Sequence, residues 1–152
     1  MHLAIICLFT GCNIFAQNIG VQPIPQQVSK QDGQICLSET YRLSGESEAN
    51  PYAVQELKKI LGGKQPGDTG LHIYIGEKGD KAIRKFARQI PNQKEGYYLS
   101  INQKEIILAG NDERGTYYAL QTLRQLLKDN RLPEVEIKDY PSVRYRGVVE
   151  GF

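Results

Sequence analysis

The chain has 152 residues, of which 40% are hydrophobic and 24% charged, and its formal net charge at pH 7 is +2. This length suits one domain, and the composition is that of an ordinary globular protein. The 19 basic and 17 acidic residues are scattered among one another, which excludes the basic stripe typical of nucleic-acid-binding proteins. We therefore predict no nucleic-acid partner.

The N-terminus is predicted to be a targeting segment. Residues 3–15 are apolar with few interruptions, a run too short to span a membrane, and Ala16 offers a small residue before a cleavage point. The stretch before this run, Met1-His2, lacks the Lys or Arg that is usual there. Two routes stay open: signal cleavage after Ala16, or lipidation at Cys12, which follows Thr10-Gly11 as in a lipobox. Either route predicts a periplasmic or extracellular protein without a membrane span.

The first part of the body is predicted to be extended chain, two short strands and a helix. Residues 23–28 contain two prolines that favour an extended backbone, and strands are expected at 35–37 and 41–43. Asn50-Pro51 predicts a helix start, because Asn caps helices well and Pro suits the first helical position. The inner face of this helix is predicted from apolar residues at helical spacing: Val54, Leu57, Ile60 and Leu61.

A strand and a short helix are predicted next. Residues 71–75 alternate between apolar and polar side chains, which indicates a strand. The segment 76–79 is predicted to be a strand-to-helix turn, because it lacks the Lys-Ser/Thr pair of a phosphate-binding loop. Asp80 is expected to cap a helix that ends before Pro91. Its inward residues would be Ile83, Phe86, Ala87 and Ile90.

The second half of the body predicts a hairpin, a longer helix and a last strand. Residues 97–101 and 105–109 form the hairpin, and alternation indicates a strand at 135–138. Asn111 is the predicted helix cap. The expected buried stripe of that helix consists of Tyr117, Leu120, Leu123, Leu126 and Leu127. Together these elements predict an α/β (α+β) fold, a mixed β-sheet covered by two main helices.

Residues that carry metal or nucleophilic chemistry are scarce. Of the two histidines, His2 lies in the targeting segment and His72 on a strand, where we expect it to be solvent-exposed or a hydrogen-bonded surface residue. This leaves no zinc ligand cluster and no Gly-x-Ser-x-Gly turn, so no metal site is predicted. Cys36 is the one cysteine beyond the targeting segment. It is interpreted as a small buried residue between Ile35 and Leu37.

Carboxylate pairs are a second test for catalysis, because glycoside hydrolysis usually needs two acids close together. The pair Asp112-Glu113 is explained by its position at the start of a helix, where the helix dipole favours negative charge. Glu46 and Glu48 lie on a predicted loop. Glu150 either faces a cleft or pairs with one of the two preceding arginines, and both alternatives stay open. No acid pair in this sequence is predicted to be catalytic.

The end of the chain predicts a second structural unit. Asp139-Tyr140-Pro141 closes the first unit, and residues 142–152 begin a new apolar run typical of a buried strand. A lone strand cannot pair its backbone groups or cover both faces. We therefore expect this sequence to be the front end of a longer protein whose chemistry lies beyond Phe152.

Four segments resemble the N-terminal domain that precedes the catalytic barrel in glycoside hydrolases of families 20 and 84. They are the Pro-x-Pro-x-x-Val motif at 23–28, Glu-Gly-Tyr-Tyr-Leu at 95–99, Gly-Asn-Asp-Glu-Arg-Gly-Thr-Tyr-Tyr-Ala-Leu-Gln-Thr-Leu at 110–123 and Ile-Lys-Asp-Tyr-Pro at 137–141. The terminal Arg-Gly-Val-Val-Glu-Gly-Phe at 146–152 resembles the first barrel strand of family 84. That family comprises β-N-acetylglucosaminidases, including O-GlcNAcases of the exported Bacteroides type.

The resemblance implies a zincin-like hexosaminidase N-terminal domain at 17–141, after a signal peptide at 1–16 and before the start of a truncated (β/α)8 barrel at 142–152. It implies a retaining, substrate-assisted mechanism with no cofactor, in which an Asp pair of the missing barrel acts on terminal β-linked N-acetylglucosamine. Only Gly151 maps onto a sugar-contacting position, where a glycine lets the sugar approach the backbone. The chain alone is predicted to be inactive, and its partner is the missing barrel.

A second hypothesis is a stand-alone carbohydrate-binding or interaction module without hydrolase activity. A reading frame that continues past Phe152 into Tyr-Gly, with an Asp-Asp pair further on, would favour the enzyme. A stop codon there would favour the module.

Overall fold

The computed structural model describes residues 19–143. Its elements in chain order are β1 Gln27–Cys36, β2 Thr40–Ser44, α1 Pro51–Ile60, β3 Gln65–Pro66, β4 Leu71–Glu77, a 3-10 turn Arg84–Phe86, β5 Tyr97–Ile101, β6 Glu105–Gly110, α2 Glu113–Leu126 and β7 Arg131–Asp139. The predicted signal segment and the predicted barrel strand, with Gly151, lie outside the described residues.

The strands form one seven-stranded sheet in the order β1-β7-β5-β6-β4-β2-β3. Strands β5 and β6 pair as the predicted antiparallel hairpin, and β7 pairs antiparallel with both β5 and β1. Strand β4 pairs in parallel with β6 and β2, and β2 pairs in parallel with β3. The mixed sheet with two main helices confirms the predicted fold class.

Both helices cover one face of the sheet, which we call the helical face. Leu57 of α1 and Leu120 and Leu123 of α2 are at most 1% exposed, and they belong to one cluster with the inward residues of the strands. Helix α1 begins as predicted, because the Asn50 side-chain oxygen accepts a hydrogen bond from the Tyr52 N–H at 2.8 Å. Burial on this face is what holds both helices to the sheet.

The opposite face, which we call the open face, is covered only in part. Ile83, Phe86 and Ile90 pack there against the hairpin. This confirms the prediction that these three side chains point inward. The predicted helix between Asp80 and Pro91 is wrong, because only a three-residue 3-10 turn forms. The Asp80 carboxylate accepts the N–H of Glu77 at 2.7 Å, so it closes the turn after β4 rather than capping a helix. So short a segment gains little from helix propagation.

Helix α2 differs from the prediction in its cap and in part of its buried stripe. Its cap is Asp112 rather than Asn111, since the Asp112 carboxylate accepts the N–H of Gly115 at 2.9 Å. Tyr117 is 45% exposed and does not belong to the buried stripe. The face that meets the sheet keeps the predicted Leu120, Leu123 and Leu126 and adds Thr116 and Ala119, while Leu127 lies beyond the helix end and is half-buried.

Cys36 is exposed, so its predicted burial is wrong. Its neighbours Ile35 and Leu37 are buried on the helical face. Because successive side chains of a strand point to opposite faces, Cys36 must point away from that core.

Candidate functional site

The segments that carried the resemblance meet at the edge of the sheet where α2 begins. One oxygen of the Asp112 carboxylate accepts the N–H of Gly115 at 2.9 Å, and the other accepts the N–H of Glu95 at 2.7 Å. The Arg114 guanidinium lies 3.0 Å from the Glu95 carboxylate. Asp112 therefore joins the loop before β5 to the first turn of α2, where the helix dipole favours a negative charge.

At this junction the backbone of α2 lies very close to the backbone of the loop before β5. A Cβ atom on Gly115 would lie 2.2 Å from the carbonyl oxygen of Gly96. That same oxygen accepts the N–H of Asn111 at 2.8 Å. Glu95 is buried and holds a left-handed backbone with φ of 62°, which is uncommon outside glycine. The motif residues thus build the contact between the hairpin and α2.

Two cavities adjoin this junction on the helical side. The first, of about 390 Å³, lies where the described chain ends, and Tyr97, Tyr140 and Val143 are among its lining residues. The second, of about 240 Å³, lies between the first turns of the helices and is lined in part by Tyr52 and Tyr117. Tyr118 lines both cavities, so they adjoin each other at this residue. We call the residues that line them the aromatic surface.

The aromatic surface leaves large side chains in water. Tyr52 is 78% exposed and Tyr117 is 45% exposed. Tyrosine is enriched where proteins meet partners, because its ring is apolar while its hydroxyl tolerates water. The surface is therefore suited to packing against another protein domain.

Two pairs of polar side chains on this surface are hydrogen-bonded to each other. The Asn50 side-chain amide donates to the Glu113 carboxylate. The Tyr97 hydroxyl lies 2.7 Å from the Thr122 hydroxyl. Burial raises the pKa of Tyr97 far above its ordinary value, so that hydroxyl stays protonated. These groups stabilise the fold and form no acid–base pair.

His72 is half-buried and hydrogen-bonded through both ring nitrogens. Its Nε2 lies 2.8 Å from the Ser44 hydroxyl, and its Nδ1 lies 3.1 Å from the Tyr74 hydroxyl. Burial, followed by the nearby charges of Arg42 and Lys85, lowers the pKa of His72, so the ring is neutral at pH 7. The Nδ1 partner is a tyrosine rather than the carboxylate of a catalytic triad. The interpretation as a hydrogen-bonded histidine is confirmed.

Three carboxylates affect the Glu77 side chain, and two of them, Asp112 and Glu113, are the pair noted in the sequence. Burial raises the pKa of Glu77, and the charges of Asp80, Glu113 and Asp112 raise it further. Asp80 and Asp112 each accept backbone N–H groups, so both have structural roles. Within residues 19–143, no group of three or more His, Cys, Asp or Glu side chains is arranged to hold a metal ion.

The loop acids Glu46 and Glu48 serve separate structural contacts. Glu46 pairs with the Lys58 ammonium at 2.5 Å, and Glu48 accepts the Lys81 N–H at 2.6 Å. Glu150 and Gly151 lie outside the described residues, so their predicted roles stay predictions.

The described part of the chain is thus an α+β domain, and its described residues form no catalytic constellation. Its aromatic surface lies next to Val143, the last described residue. Residues 18–140 match the domain family described as "Glycosyl hydrolase family 20, domain 2". The chain belongs to this family.

Curated relatives agree with this assignment. A β-hexosaminidase of Vibrio furnissii is 30% identical over 88% of this chain and 21% of its own length. A β-hexosaminidase of Porphyromonas gingivalis is 27% identical over 88% of this chain and 18% of its own length. The chain therefore spans about a fifth of these relatives.

Solved structures share the fold. The structure of CpGH84B is 30% identical and superposes with a TM-score of 0.77 over 89% of this chain and 25% of that one. A β-N-acetylhexosaminidase from Bacteroides fragilis, at 22% identity, superposes with a TM-score of 0.60 over 84% of this chain and 26% of that one. These findings confirm the predicted N-terminal domain of a family 84 or family 20 hexosaminidase. Neither described helix is long and apolar enough to cross a membrane.

Proposed function

We propose that this chain is the non-catalytic N-terminal portion of an exported, O-GlcNAcase-type β-N-acetylglucosaminidase. The enzyme would be a retaining, substrate-assisted glycoside hydrolase acting on terminal β-linked N-acetylglucosamine. The observation that carries the proposal is the family match over residues 18–140. The likeness to CpGH84B at 30% identity supports the family 84 type.

The proposed partner is a catalytic barrel that follows in the same polypeptide. Val143, the last described residue, lines the first cavity of the aromatic surface. A domain that begins a few residues later starts beside this surface, because each residue spans at most about 3.6 Å. The exposed rings of Tyr52 and Tyr117 would lose their contact with water on packing, which favours association.

This proposal predicts that two tyrosines stabilise the complete protein but not the chain alone. The double variant Tyr52→Ser and Tyr117→Ser should lower the thermal midpoint of the complete gene product by several degrees, because about 1.5–3 kcal/mol is gained per apolar side chain fully buried. The same variant in the 152-residue chain should leave the midpoint nearly unchanged. Thermal denaturation followed by circular dichroism measures both.

Ile24→Ser is the matched control, because Ile24 is 68% exposed and lines neither cavity. It should shift neither midpoint. Equal midpoints for the double variant and the wild type in the complete product would place the contact with the barrel elsewhere.

Gly151 is the proposed sugar contact of this chain. In the complete enzyme, Gly151→Val should weaken the binding of an active-site inhibitor at least about tenfold, because the added side chain occupies space that the sugar needs. The stability of the N-terminal domain should hardly change. Wild-type inhibitor affinity in a folded Gly151→Val enzyme would remove this residue from the site.

The proposal also includes export of the protein from the cytoplasm. A signal peptide at 1–16 would direct the protein to the periplasm or beyond, and lipidation at Cys12 is the alternative anchor. Mass spectrometry of the mature N-terminus distinguishes the two, because only lipidation leaves an acylated Cys12 as the first residue.

The alternative function is a stand-alone carbohydrate-binding or interaction module. The observation that favours it is a cavity of about 340 Å³ on the open face of the sheet, separate from the aromatic surface. A stop codon after Phe152 in the gene would support this alternative.

A further inference from the structure

The first cavity of the aromatic surface combines aromatic rings with negative charge. The rings of Tyr97, Tyr118 and Tyr140 are part of its lining. Two carboxylates, those of Glu95 and Asp139, line it as well, and no described lysine or arginine does. A guanidinium group suits such a cavity, because it stacks on aromatic faces while its N–H groups bind a carboxylate.

Asp139 is the carboxylate that a guanidinium can reach here. The Glu95 carboxylate already pairs with the Arg114 guanidinium at 3.0 Å. Asp139 is half-buried, and one of its oxygens accepts the Gln26 N–H at 3.0 Å. Because an ionised carboxylate offers about four acceptor positions, Asp139 can bind a cation and keep the Gln26 bond. A nearby cation also offsets the cost of holding this negative charge partly away from water.

Hydrogen bonds between three segments hold the walls of this cavity. The Gln22 N–H donates to the Gln125 side-chain oxygen at 2.8 Å, and the Gln125 amide donates back to the Gln22 carbonyl at 3.0 Å. The Gln26 amide donates to the Ser142 hydroxyl at 2.5 Å. The chain before β1 is thereby tied to α2 and to the chain after β7. Walls that are fixed in advance reduce the entropy lost when a side chain binds between them.

The sequence supplies a cation where the described chain ends. Val143 lines the cavity and is 58% exposed, and the next residue is Arg144. Consecutive Cα atoms are about 3.8 Å apart, so Arg144 begins beside the cavity, whereas Arg146 can lie up to about 11 Å from Val143. This covalent link also gives Arg144 a local concentration that a free ligand lacks.

We propose that the Arg144 side chain occupies the first cavity in the complete enzyme, with its guanidinium bound to the Asp139 carboxylate and stacked on a tyrosine ring. The ion pair fixes the direction in which the chain leaves the N-terminal domain and enters the barrel. The inference rests on the proposed function, because the barrel excludes water from the cavity and so strengthens the pair.

The test is a double-mutant cycle in the complete gene product, with thermal midpoints measured by circular dichroism. Asp139→Asn removes the negative charge and keeps an oxygen for the Gln26 N–H, and Arg144→Gln removes the cation. Each variant should lower the midpoint by about 2–4 °C. The double variant should lose about as much as one single variant rather than the sum, because both substitutions break the same pair.

Arg146→Gln is the matched control from the same segment. Its effect on the midpoint should add to that of Asp139→Asn, since Arg146 does not reach the cavity. A second measurement needs only Arg144→Gln and serves if Asp139→Asn does not fold. The midpoint difference between this variant and the wild type should shrink at least by about half between roughly 0.1 M and 1 M sodium chloride, because salt screens the ion pair.

Four results would overturn the inference. They are additive losses for Asp139→Asn and Arg144→Gln, coupling of Asp139 to Arg146 instead, a wild-type midpoint for Arg144→Gln, and a midpoint loss in that variant that salt does not change. All four are read from stability. A complete product that hydrolyses its substrate while the losses add would therefore reject this ion pair and leave the proposed function intact.

Discussion

Replacing Leu123 with alanine is expected to lower the free energy of unfolding by about 2–5 kcal/mol, because the change leaves a cavity in a packed core. Leu123 is 1% exposed and lies in the continuous cluster between α2 and the sheet. Urea denaturation of the 152-residue chain, followed by circular dichroism, measures the loss.

Arg124→Ala is the control from the next position of the same helix. Arg124 is exposed, and its guanidinium lies 3.4 Å from the Glu56 carboxylate. An exposed ion pair contributes about 0–1 kcal/mol, so this variant should stay close to the wild type. Equal stability of Leu123→Ala and the wild type would mean that α2 presents a different face to the sheet.

Gly115→Ala is expected to destabilise the protein by about 1–3 kcal/mol, as overpacking does in a close-packed region. In an ordinary helix interior the same change stabilises by about 1 kcal/mol, so the sign itself is diagnostic. The reason is the junction, where the new Cβ would lie 2.2 Å from the Gly96 carbonyl oxygen and 3.2 Å from the Gly110 Cα. Neither neighbour is a flexible side chain that can move away.

The control for this prediction is Gly79→Ala. A Cβ on Gly79 has no neighbouring atom within 4 Å, so the substitution meets open space. Its midpoint in urea should lie within experimental error of the wild type. A more stable Gly115→Ala protein would contradict the close approach of α2 to the loop before β5.

Local patterns predicted the sheet and its helices well. Two apolar runs on either side of Asn102-Gln103-Lys104 indicated the hairpin, and the Asn50-Pro51 pair located the start of α1. Both signals act over a few residues and do not depend on the rest of the fold. Strand alternation, applied to Cys36 between Ile35 and Leu37, would have predicted its exposure.

Features that depend on long-range contacts were not predictable. The segment after Asp80 has helical spacing, yet it packs on the open face as turns around a short 3-10 turn. The meeting of Asp112 with Glu95 joins residues 17 positions apart, and no local pattern encodes it. The aromatic surface depends on the exposure of Tyr117, which the apolar spacing of the helix did not predict.

The candidate site also has one part that the sequence predicted and one part that depends on long-range contacts. The resemblance of four short segments predicted the family. In the structure, these segments lie at and around the junction between the hairpin and α2. The cavity on the open face was missed, since it becomes visible only when its lining residues are assembled.

The most direct test of this account is hydrolysis of an aryl β-N-acetylglucosaminide by two purified proteins, the 152-residue chain and the complete product of the reading frame that contains it. We predict turnover by the complete product, blocked by an active-site inhibitor, and none above background by the chain, because no positioned general acid is found among its described residues. Inhibitor-sensitive turnover by the chain alone, or a complete product that folds without hydrolysing the substrate, would contradict the account.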